Sequence, residues 1–361
     1  MLRIMFVFAF SWIFLHSAWA QNDLLRQKAA DELRKIPRPH STGEFKAIPH
    51  LPPMNQDTTN ACWSFSTLSF VESEMLRLGR PKVRLAVMFP VYYGFLEKAR
   101  YFVTTKGSSR FAPGDLFSGV LEIIRKYGIV PQSVYRGQTR ACRTYNHSNM
   151  ETELSQFMQR VKELELWDEE IVVAGVRKIL DKYMGAPPRN FTFNGKTYTP
   201  QSFRDQVVNL PWDEYVAVTS FLYEPYGRFI ELKVPDNWAH RKNYFNVPLP
   251  LFYSALISAV RHGYSAAIDA DISEPGRLGK QDVSFIPSFD LPAAAIDEYA
   301  RELRFVNKAT TDDHLMHIVG YKKVAGQDWF LVKDSWRSAW YGQQKGYFFF
   351  HGDYIRLKVL A

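Results

Sequence analysis

Cysteine is scarce in this chain, with only Cys62 and Cys142 among 361 residues. So low a count excludes a small secreted scaffold that is held together by several disulfides. In an exported protein two cysteines commonly form one disulfide, whereas a single thiol can also be a buried core residue or a nucleophile. The residues around each cysteine must decide among these alternatives.

Long apolar runs are absent after the first twenty residues, and no later segment is suited to cross a bilayer. At the start, Arg3 precedes an almost unbroken apolar run over residues 4–15, and Ala18-Trp19-Ala20 matches a small-x-small cleavage site. These features predict a signal peptide over residues 1–20, with an uncleaved anchor helix as the alternative. We therefore expect an exported protein, periplasmic or secreted, with no membrane span in the mature chain.

Charge of one sign is not concentrated anywhere in the sequence. The formal net charge is +8, and removal of Arg3 with the signal peptide leaves 44 basic against 37 acidic residues, or +7. Because Lys and Arg are mixed with Asp and Glu, and no basic stripe or RNA-binding motif is present, no nucleic-acid partner is expected. With 46% hydrophobic residues, the chain can build a substantial core in two lobes.

Hydrophobic periodicity predicts an α+β fold, with helices dominating the first lobe and antiparallel strands the second. The predicted helices are 23–35, 60–78, 86–104, 116–127, 149–184 with a break near Trp167, and 250–262. The predicted strands are 216–222, 229–234, 264–270, 317–322, 329–333, 347–351 and 354–359. The expected organisation is a lead-in over 21–50, a helical lobe over 51–215 that includes a helical insertion at about 140–215, and a β-rich lobe over 216–361.

Cys62 lies in the first turn of the predicted helix 60–78, for which Thr59 and Asn60 are both suitable N-caps. A thiol attacks a carbonyl well only as thiolate, and the positive end of the helix dipole favours that state. The backbone N–H of Cys62 and the side-chain amide of Gln56, on the loop before the helix, can both donate to a tetrahedral oxyanion.

The run Asn55–Ser66 resembles the catalytic segment of papain-like cysteine peptidases. The resemblance implies that Cys62 is the nucleophile, that Gln56 contributes to the oxyanion hole, and that Trp63 belongs to the residues that bind or shield the substrate. Thr59 replaces a cysteine that the family has three residues before the nucleophile. The family's structural disulfide is therefore absent, which leaves Cys62 free to react.

Two further runs resemble the same family. Asp313–Tyr321 resembles its histidine strand, and the spacing to the Val-Gly-Tyr that ends this run selects His314 as the base. His317 points to the opposite face of a strand and is expected to be structural. Leu331–Trp336 resembles the family's Asn-Ser-Trp segment, which implies that its tryptophan shields the contact that orients the base.

Asp334 stands in that segment where the family has an asparagine. Either side chain can accept a hydrogen bond from the imidazole of His314, but a carboxylate also stabilises imidazolium. The carboxylate either supports catalysis, as in other Cys-His-Asp acyl-transfer enzymes, or holds the base too strongly protonated for efficient turnover. Both alternatives stay open at the level of the sequence.

The separation of 252 residues between Cys62 and His314 exceeds the roughly 130–150 residues of compact papain-like members. Together with the runs Phe95–Arg100, Lys126–Pro131 and Val234–Trp238, this spacing resembles the bleomycin hydrolase and aminopeptidase C branch. The resemblance implies a papain-like two-lobed fold, with the active site in the cleft between the lobes.

The expected function is hydrolysis of peptide or protein substrates through a Cys62 acyl-enzyme, with no cofactor and no metal. The alternatives are a catalytically weakened homologue that binds peptides, and a Cys-His-Asp acyl transferase. Cys142, between two cationic neighbours, has no motif partner and is expected to be an ordinary thiol. Leu360-Ala361 are too short to cross a cleft, so we expect endopeptidase or mixed cleavage rather than the arm-gated, hexameric aminopeptidase arrangement of the branch.

Overall fold

Helices build the part of the protein that contains Cys62. The computed structural model describes residues 23–139 and 144–361, so the predicted signal peptide and Cys142 lie outside the described residues. The helices before residue 190 are α1 (23–33), α2 (Cys62–Arg77), α3 (Met88–Thr104), α4 (Phe117–Tyr127), α5 (Ser148–Glu163) and α6 (Glu169–Met184). They confirm the predicted helices, and the predicted break near Trp167 separates α5 from α6, where the Asp168 side chain caps α6 by accepting from Ile171 N–H.

Short elements connect this helical part to the main sheet. They are the hairpin strands β1 (Phe191–Phe193) and β2 (Lys196–Tyr198), the helix α7 (Pro200–Phe203) with a π-type turn over Arg204–Val208, and the strands β3 (Ala217–Thr219), β4 (Arg228–Ile230) and β5 (Tyr244–Asn246). The last three form a sheet in the order β3-β5-β4. The predicted runs 216–222 and 229–234 are therefore strands only over three residues each.

A six-stranded sheet holds the second half of the chain together, in the order β6-β9-β10-β11-β8-β7. Its strands are β6 (Ala266–Ala270), β7 (Arg277–Leu278), β8 (Val283–Ser284), β9 (His314–Val324), β10 (Gln327–Lys333) and β11 (Tyr347–His351), with the helices α8 (Leu249–Arg261) and α9 (Glu298–Val306) nearby in sequence. The β9–β10 hairpin turns at Ala325-Gly326, both with positive φ, as a tight hairpin requires. This hairpin places His314 at one end of the longest strand.

The predicted strand 354–359 is wrong, because Gly352–Lys358 form a helix, α10. Tyr354, Ile355 and Leu357 are all fully buried in the apolar cluster that also contains residues of α8 and the sheet. Their aromatic and branched side chains favour strands only weakly, so tertiary packing outweighs the local preference. After α10, residues 359–361 run along the edge of β6, where Leu360 N–H donates to the Asp269 carbonyl at 2.7 Å.

Helix α2 is the element that joins the two halves. Its Ser66 hydroxyl donates to the backbone carbonyl of Met316 in β9 at 2.6 Å, and its Ser69 hydroxyl lies 2.7 Å from His317 Nδ1. These buried bonds fix the register of α2 against β9. The first residue of α2 and the first residue of β9 consequently face the same region.

The lead-in packs on the β-rich half of the protein. Ala29, Leu33 and Phe45 are buried in a cluster with Val319 of β9 and Trp329 of β10. Among the described residues, no helix combines the length and apolar character that crossing a membrane requires.

Candidate active site

Cys62 is the first residue of α2, and its helix end lacks a side-chain cap. The N-cap position is Ala61, so the predicted capping by Thr59 or Asn60 is wrong. The Thr59 hydroxyl instead donates to the Gln56 carbonyl, and the Asn60 amide donates to Glu151. Because the first N–H groups of a helix have no partner within the helix, an uncapped end leaves its positive dipole available to a negative sulfur or oxygen.

The thiol of Cys62 is free, partly exposed as a residue, and in contact with the strand that contains His314. Burial raises its pKa well above the ordinary value, a hydrogen bond from the backbone of Leu315 acts in the opposite direction, and the charges of nearby aspartates raise the pKa further. The resting thiol is therefore protonated, and a base must remove its proton during the reaction. Leu315 directly follows His314, so the thiol lies at the start of the strand that begins with the predicted base.

His314, Asp334 and Trp336 are brought together as the sequence predicts. His314 Nε2 lies 2.7 Å from Asp334 Oδ1, and both side chains are almost fully buried. The Trp336 backbone N–H donates to the same oxygen at 2.7 Å. The Trp336 ring stands edge-on to the imidazole with centroids 5.9 Å apart and is 37% exposed, so it separates the His314–Asp334 contact from solvent.

Arg277 completes this site, and the sequence motifs gave no sign of it. Its Nη2 lies 2.5 Å from Asp334 Oδ2, and its guanidinium packs 4.0 Å over the ring of Phe348. Burial alone would raise the pKa of Asp334, but its interactions with His314 and Arg277 outweigh burial and hold the pKa well below the ordinary range. The carboxylate is thus ionised, with Arg277 paired to one oxygen and His314 hydrogen-bonded to the other. Arg277 is an isolated arginine at the start of a two-residue strand. No motif or spacing in the sequence distinguishes it from other arginines.

The side chain of Gln56 is fixed at both ends of its amide. Its Nε2 donates to the Thr59 carbonyl at 2.9 Å, and its Oε1 accepts from the Ser335 hydroxyl at 2.7 Å. The Gln56 backbone N–H also donates to the Ser335 carbonyl at 2.9 Å. The Nε2 group has a second N–H besides the one bonded to Thr59, and a fixed amide of this kind is what a preorganised oxyanion donor requires.

Trp63 faces the interior of the protein. It is 1% exposed, and its indole N–H donates to the carbonyls of Asn60 and Pro113. The Lys98 ammonium, also buried, donates to the carbonyls of residues 112–114 at distances between 2.5 and 3.0 Å. The observed contacts of Trp63 therefore anchor the loop 112–115 beside the nucleophile, whereas Trp336 is the tryptophan that solvent reaches.

His317 takes part in a different, structural network. Its Nδ1 contacts Ser69, whose hydroxyl accepts from Lys333 Nζ at 2.7 Å. Burial, followed by the nearby charge of Lys333, lowers the pKa of His317 well below its ordinary value. A neutral, buried imidazole that joins α2 to β9 agrees with the structural role predicted for it. Within the described residues, no group of His, Cys, Asp or Glu side chains is arranged to hold a metal ion.

One half of the protein is helical and has a thiol at the start of a helix. The other half is β-rich and has an imidazole with its hydrogen-bond acceptor. This is the architecture of papain-like cysteine peptidases. A profile of the Peptidase C1-like family matches residues 111–358, a range that includes His314 and Asp334 and begins after Cys62. The chain belongs to the Peptidase C1-like family, in the bleomycin hydrolase and aminopeptidase C branch of the papain-like peptidases. The predicted family and the predicted α+β papain-like fold are confirmed.

Relatives of known name lie in the same branch. Aminopeptidase C of Streptococcus thermophilus is 23% identical over 290 residues, which cover 66% of this chain and 64% of that protein. Aminopeptidase W of Lactobacillus delbrueckii subsp. lactis is 22% identical over 355 residues, which cover 84% of this chain and 78% of that protein. The crystal structure of PepW from Lactobacillus rhamnosis HN001 shares the fold with a TM-score of 0.70 at 18% identity, over 88% of this chain and 80% of that one.

Proposed function

We propose that this protein is an exported cysteine peptidase that hydrolyses peptide bonds through an acyl-enzyme on Cys62. His314 is the base in this mechanism, Asp334 orients it, and Gln56 contributes to the oxyanion hole. The observation that supports the assignment best is the contact between the Cys62 thiol and the residue next to His314, whose Nε2 is held 2.7 Å from Asp334. Relatives named aminopeptidases and the family itself support peptides as substrates.

The reaction follows from the positions of these groups. His314 removes the thiol proton, and the thiolate of Cys62 attacks the substrate carbonyl while the Cys62 N–H and Gln56 Nε2 donate to the oxyanion. The imidazolium then gives its proton to the leaving amine as the C–N bond breaks, which leaves a thioester on Cys62. Water, deprotonated by His314, attacks the thioester, and the acid product leaves as the thiol is regenerated.

Export is part of the proposal because of the sequence of residues 1–20 alone. A charged start, a short apolar run and a small-x-small site are typical of a cleaved signal peptide. The test is N-terminal sequencing of the protein recovered from the periplasm or medium of an expressing cell. A chain that begins at Met1 and stays inside the cell would contradict export without affecting the peptidase assignment.

The peptidase assignment is tested by Cys62→Ala, with Cys142→Ala as the matched control. Cys62→Ala is expected to abolish peptide hydrolysis, whereas Cys142→Ala keeps it. Circular dichroism of both variants establishes that the fold is retained. Hydrolysis that persists in Cys62→Ala would show that another residue is the nucleophile.

Product analysis separates hydrolysis from acyl transfer. A mass-spectrometric digest of a peptide library is expected to give free carboxyl products. Products in which the acyl group is attached to an added amine, with no free acid, would favour the Cys-His-Asp acyl transferase instead. No product of either kind, with an intact library bound, would favour a peptide-binding homologue.

A further inference from the structure

Three carboxylates lie close enough to the Cys62 thiol to act on its charge: Asp236, Asp269 and Asp312. Asp269 is in β6 and is paired directly with Leu315, so its side chain lies on the same face of the sheet as the residue that contacts the thiol. Asp312 precedes His314 by two residues. The mechanism proposed above uses none of these three groups.

Asp269 is a buried carboxyl group that accepts no hydrogen bond from an N–H or hydroxyl group of the described residues. Its exposure is 0%, and no N–H or hydroxyl group among the described residues donates to Oδ1 or Oδ2. Its backbone, by contrast, is fully bonded to residues 360 and 361. Because a buried carboxylate without such a donor is costly, its retention at this position indicates a cationic partner that the described residues do not supply.

The carboxyl groups of Asp269 and Asp312 lie in direct contact. Burial raises the pKa of Asp269 well above its ordinary value, and the negative charge of Asp312 raises it further. Burial, followed by the charge of Asp236, raises the pKa of Asp312 to about 7. Two carboxyl groups in contact share a proton when no cation is present to let both ionise.

Asp236 is the member of the group that solvent reaches. Its side chain is 23% exposed and lies against Gly114, where even a Cβ atom would come within 1.9 Å of Oδ2. Gly114 belongs to the loop that Trp63 and Lys98 anchor beside the nucleophile. The three carboxylates therefore extend from a partly exposed position on the helical half to a buried position beside the strand of His314.

The cations near these carboxylates are engaged elsewhere or only loosely placed. The Lys98 ammonium donates to three backbone carbonyls. Arg110 is more than half exposed, and its Nη1 lies 3.5 Å from Asp236 Oδ1, at the outer limit of a hydrogen bond. The negative charge that remains on the group opposes formation of the Cys62 thiolate.

We propose that Asp236 and Asp312, with Asp269 behind them, form a subsite that binds an organic cation of the peptide substrate, an ammonium or a guanidinium, beside the scissile bond. This inference rests on the proposed peptidase function and names the class of substrate. The bound cation makes charge-assisted hydrogen bonds to the carboxylates and displaces the proton that Asp269 and Asp312 share. It also offsets the charge that opposes the thiolate, so cationic substrates bind more tightly and acylate Cys62 faster.

The cation can come from the free amino terminus of the substrate or from a lysine or arginine side chain. Three fluorogenic dipeptide amides distinguish these sources: norleucyl-phenylalanyl, acetyl-norleucyl-phenylalanyl and acetyl-lysyl-phenylalanyl amide. We expect at least one cationic substrate to exceed the acetylated norleucine substrate in kcat/KM by about tenfold or more. Preference for the free amino terminus identifies the α-ammonium, and preference for the lysine substrate identifies the side chain. Equal kcat/KM for all three substrates would overturn the proposal.

Substitution of the carboxylates assigns the preference to this site. Asp312→Asn and Asp236→Asn are each expected to reduce the ratio of cationic to neutral kcat/KM toward one. Asp205→Asn, an exposed aspartate paired with Arg204, is the matched control and keeps the ratio. Asp236→Asn alters a partly exposed side chain and so gives a result even where Asp312→Asn does not fold. A ratio unchanged in Asp236→Asn and in any folded Asp312→Asn would place the cation elsewhere and overturn the proposal.

A binding measurement separates failure of this inference from failure of the proposed function. In Cys62→Ala protein, calorimetry is expected to give tighter binding of whichever cationic dipeptide amide is preferred than of the acetylated norleucine amide. Asp312→Asn or Asp236→Asn in that background removes the difference. If Cys62→Ala shows this binding difference but the wild type turns over no peptide, the peptidase assignment alone is contradicted. If the wild type turns over peptides but Cys62→Ala shows no binding difference, the subsite alone is contradicted.

Discussion

Arg277 holds the carboxylate oxygen of Asp334 that faces away from His314. The two contacts to Asp334 are 2.5 Å from Arg277 Nη2 to Oδ2 and 2.7 Å from His314 Nε2 to Oδ1. The site therefore contains a buried cation that offsets the charge gained where papain-like relatives have a neutral amide. This pairing gives the carboxylate a buried counter-charge other than His314.

Arg277→Met is expected to lower kcat/KM and to move the acid limb of its pH profile upward. Without the guanidinium, the full negative charge of Asp334 acts on His314 and stabilises the imidazolium. The kcat/KM profile reports the ionisations of the free enzyme, so it is the measurement to make. A profile and rate equal to those of the wild type would show that the Arg277–Asp334 contact is not relevant to the base.

Asp334→Asn is expected to destabilise the protein by about 3–5 kcal/mol, because it leaves the guanidinium of Arg277 buried without a counter-charge. The Arg277→Met/Asp334→Asn double variant restores a neutral site like that of the asparagine-containing relatives. It should be more stable and more active than Asp334→Asn alone. Urea unfolding and kcat/KM of the four proteins form a double-mutant cycle. Strictly additive effects in that cycle would contradict direct coupling.

Gln56→Ala is expected to lower kcat by about 10²–10³, the usual cost of one oxyanion donor. Ser335→Ala should lower kcat less, by roughly tenfold, because it frees the amide of Gln56 without removing it. Ser64→Ala is the matched control, since Ser64 is also buried but donates to the Val87 carbonyl. A kcat loss in Ser64→Ala as large as that in Ser335→Ala would indicate a general effect of packing.

Lys98→Met is expected to cost about 3–5 kcal/mol of unfolding free energy, since it leaves three carbonyls of the loop 112–114 without their donor. Lys126→Met, which removes an exposed ion pair with Glu97, should cost less than about 1 kcal/mol. Urea denaturation measures both. Similar losses in the two variants would contradict a special role of Lys98 in anchoring the loop.

His147 makes stability depend on pH. It is 4% exposed, and burial lowers its pKa from the ordinary 6.5 to about 4. Between these values the unfolded chain binds a proton that the folded chain excludes, so stability from this group is present above pH 6.5 and is lost as pH falls toward 4. That difference corresponds to about 3 kcal/mol.

His147→Leu should therefore lessen the loss of unfolding free energy between pH 6.5 and pH 4.5. Denaturant unfolding at several pH values measures the slope. His262→Leu, at the exposed end of α8, is the control and should leave the slope unchanged. An equally steep slope in His147→Leu would assign the acid sensitivity to other groups.

The sequence predicts those parts of the site that depend on local pattern. Gln56, Cys62, His314 and Asp334 occupy motifs with fixed spacing, and the helix and strand that contain the nucleophile and base have clear periodicity. Arg277 could not be predicted, because its pairing with Asp334 bridges 57 residues and depends on how β7 meets the sheet. Helix α10 differs from the predicted strand for a similar reason, since contacts with distant elements outweigh its own β-favouring residues.

The separation of 252 residues from Cys62 to His314 also sets the order of events while the chain is made. A ribosome adds about 5–20 residues per second, so α2 is complete roughly 10 to 50 s before β9 exists. Throughout that interval the thiol has neither its base nor the Asp334–Arg277 pair, and on the proposed mechanism it cannot cleave other nascent chains. On that mechanism peptidase activity requires β9 to have docked on α2, so an active molecule is one that has completed its fold.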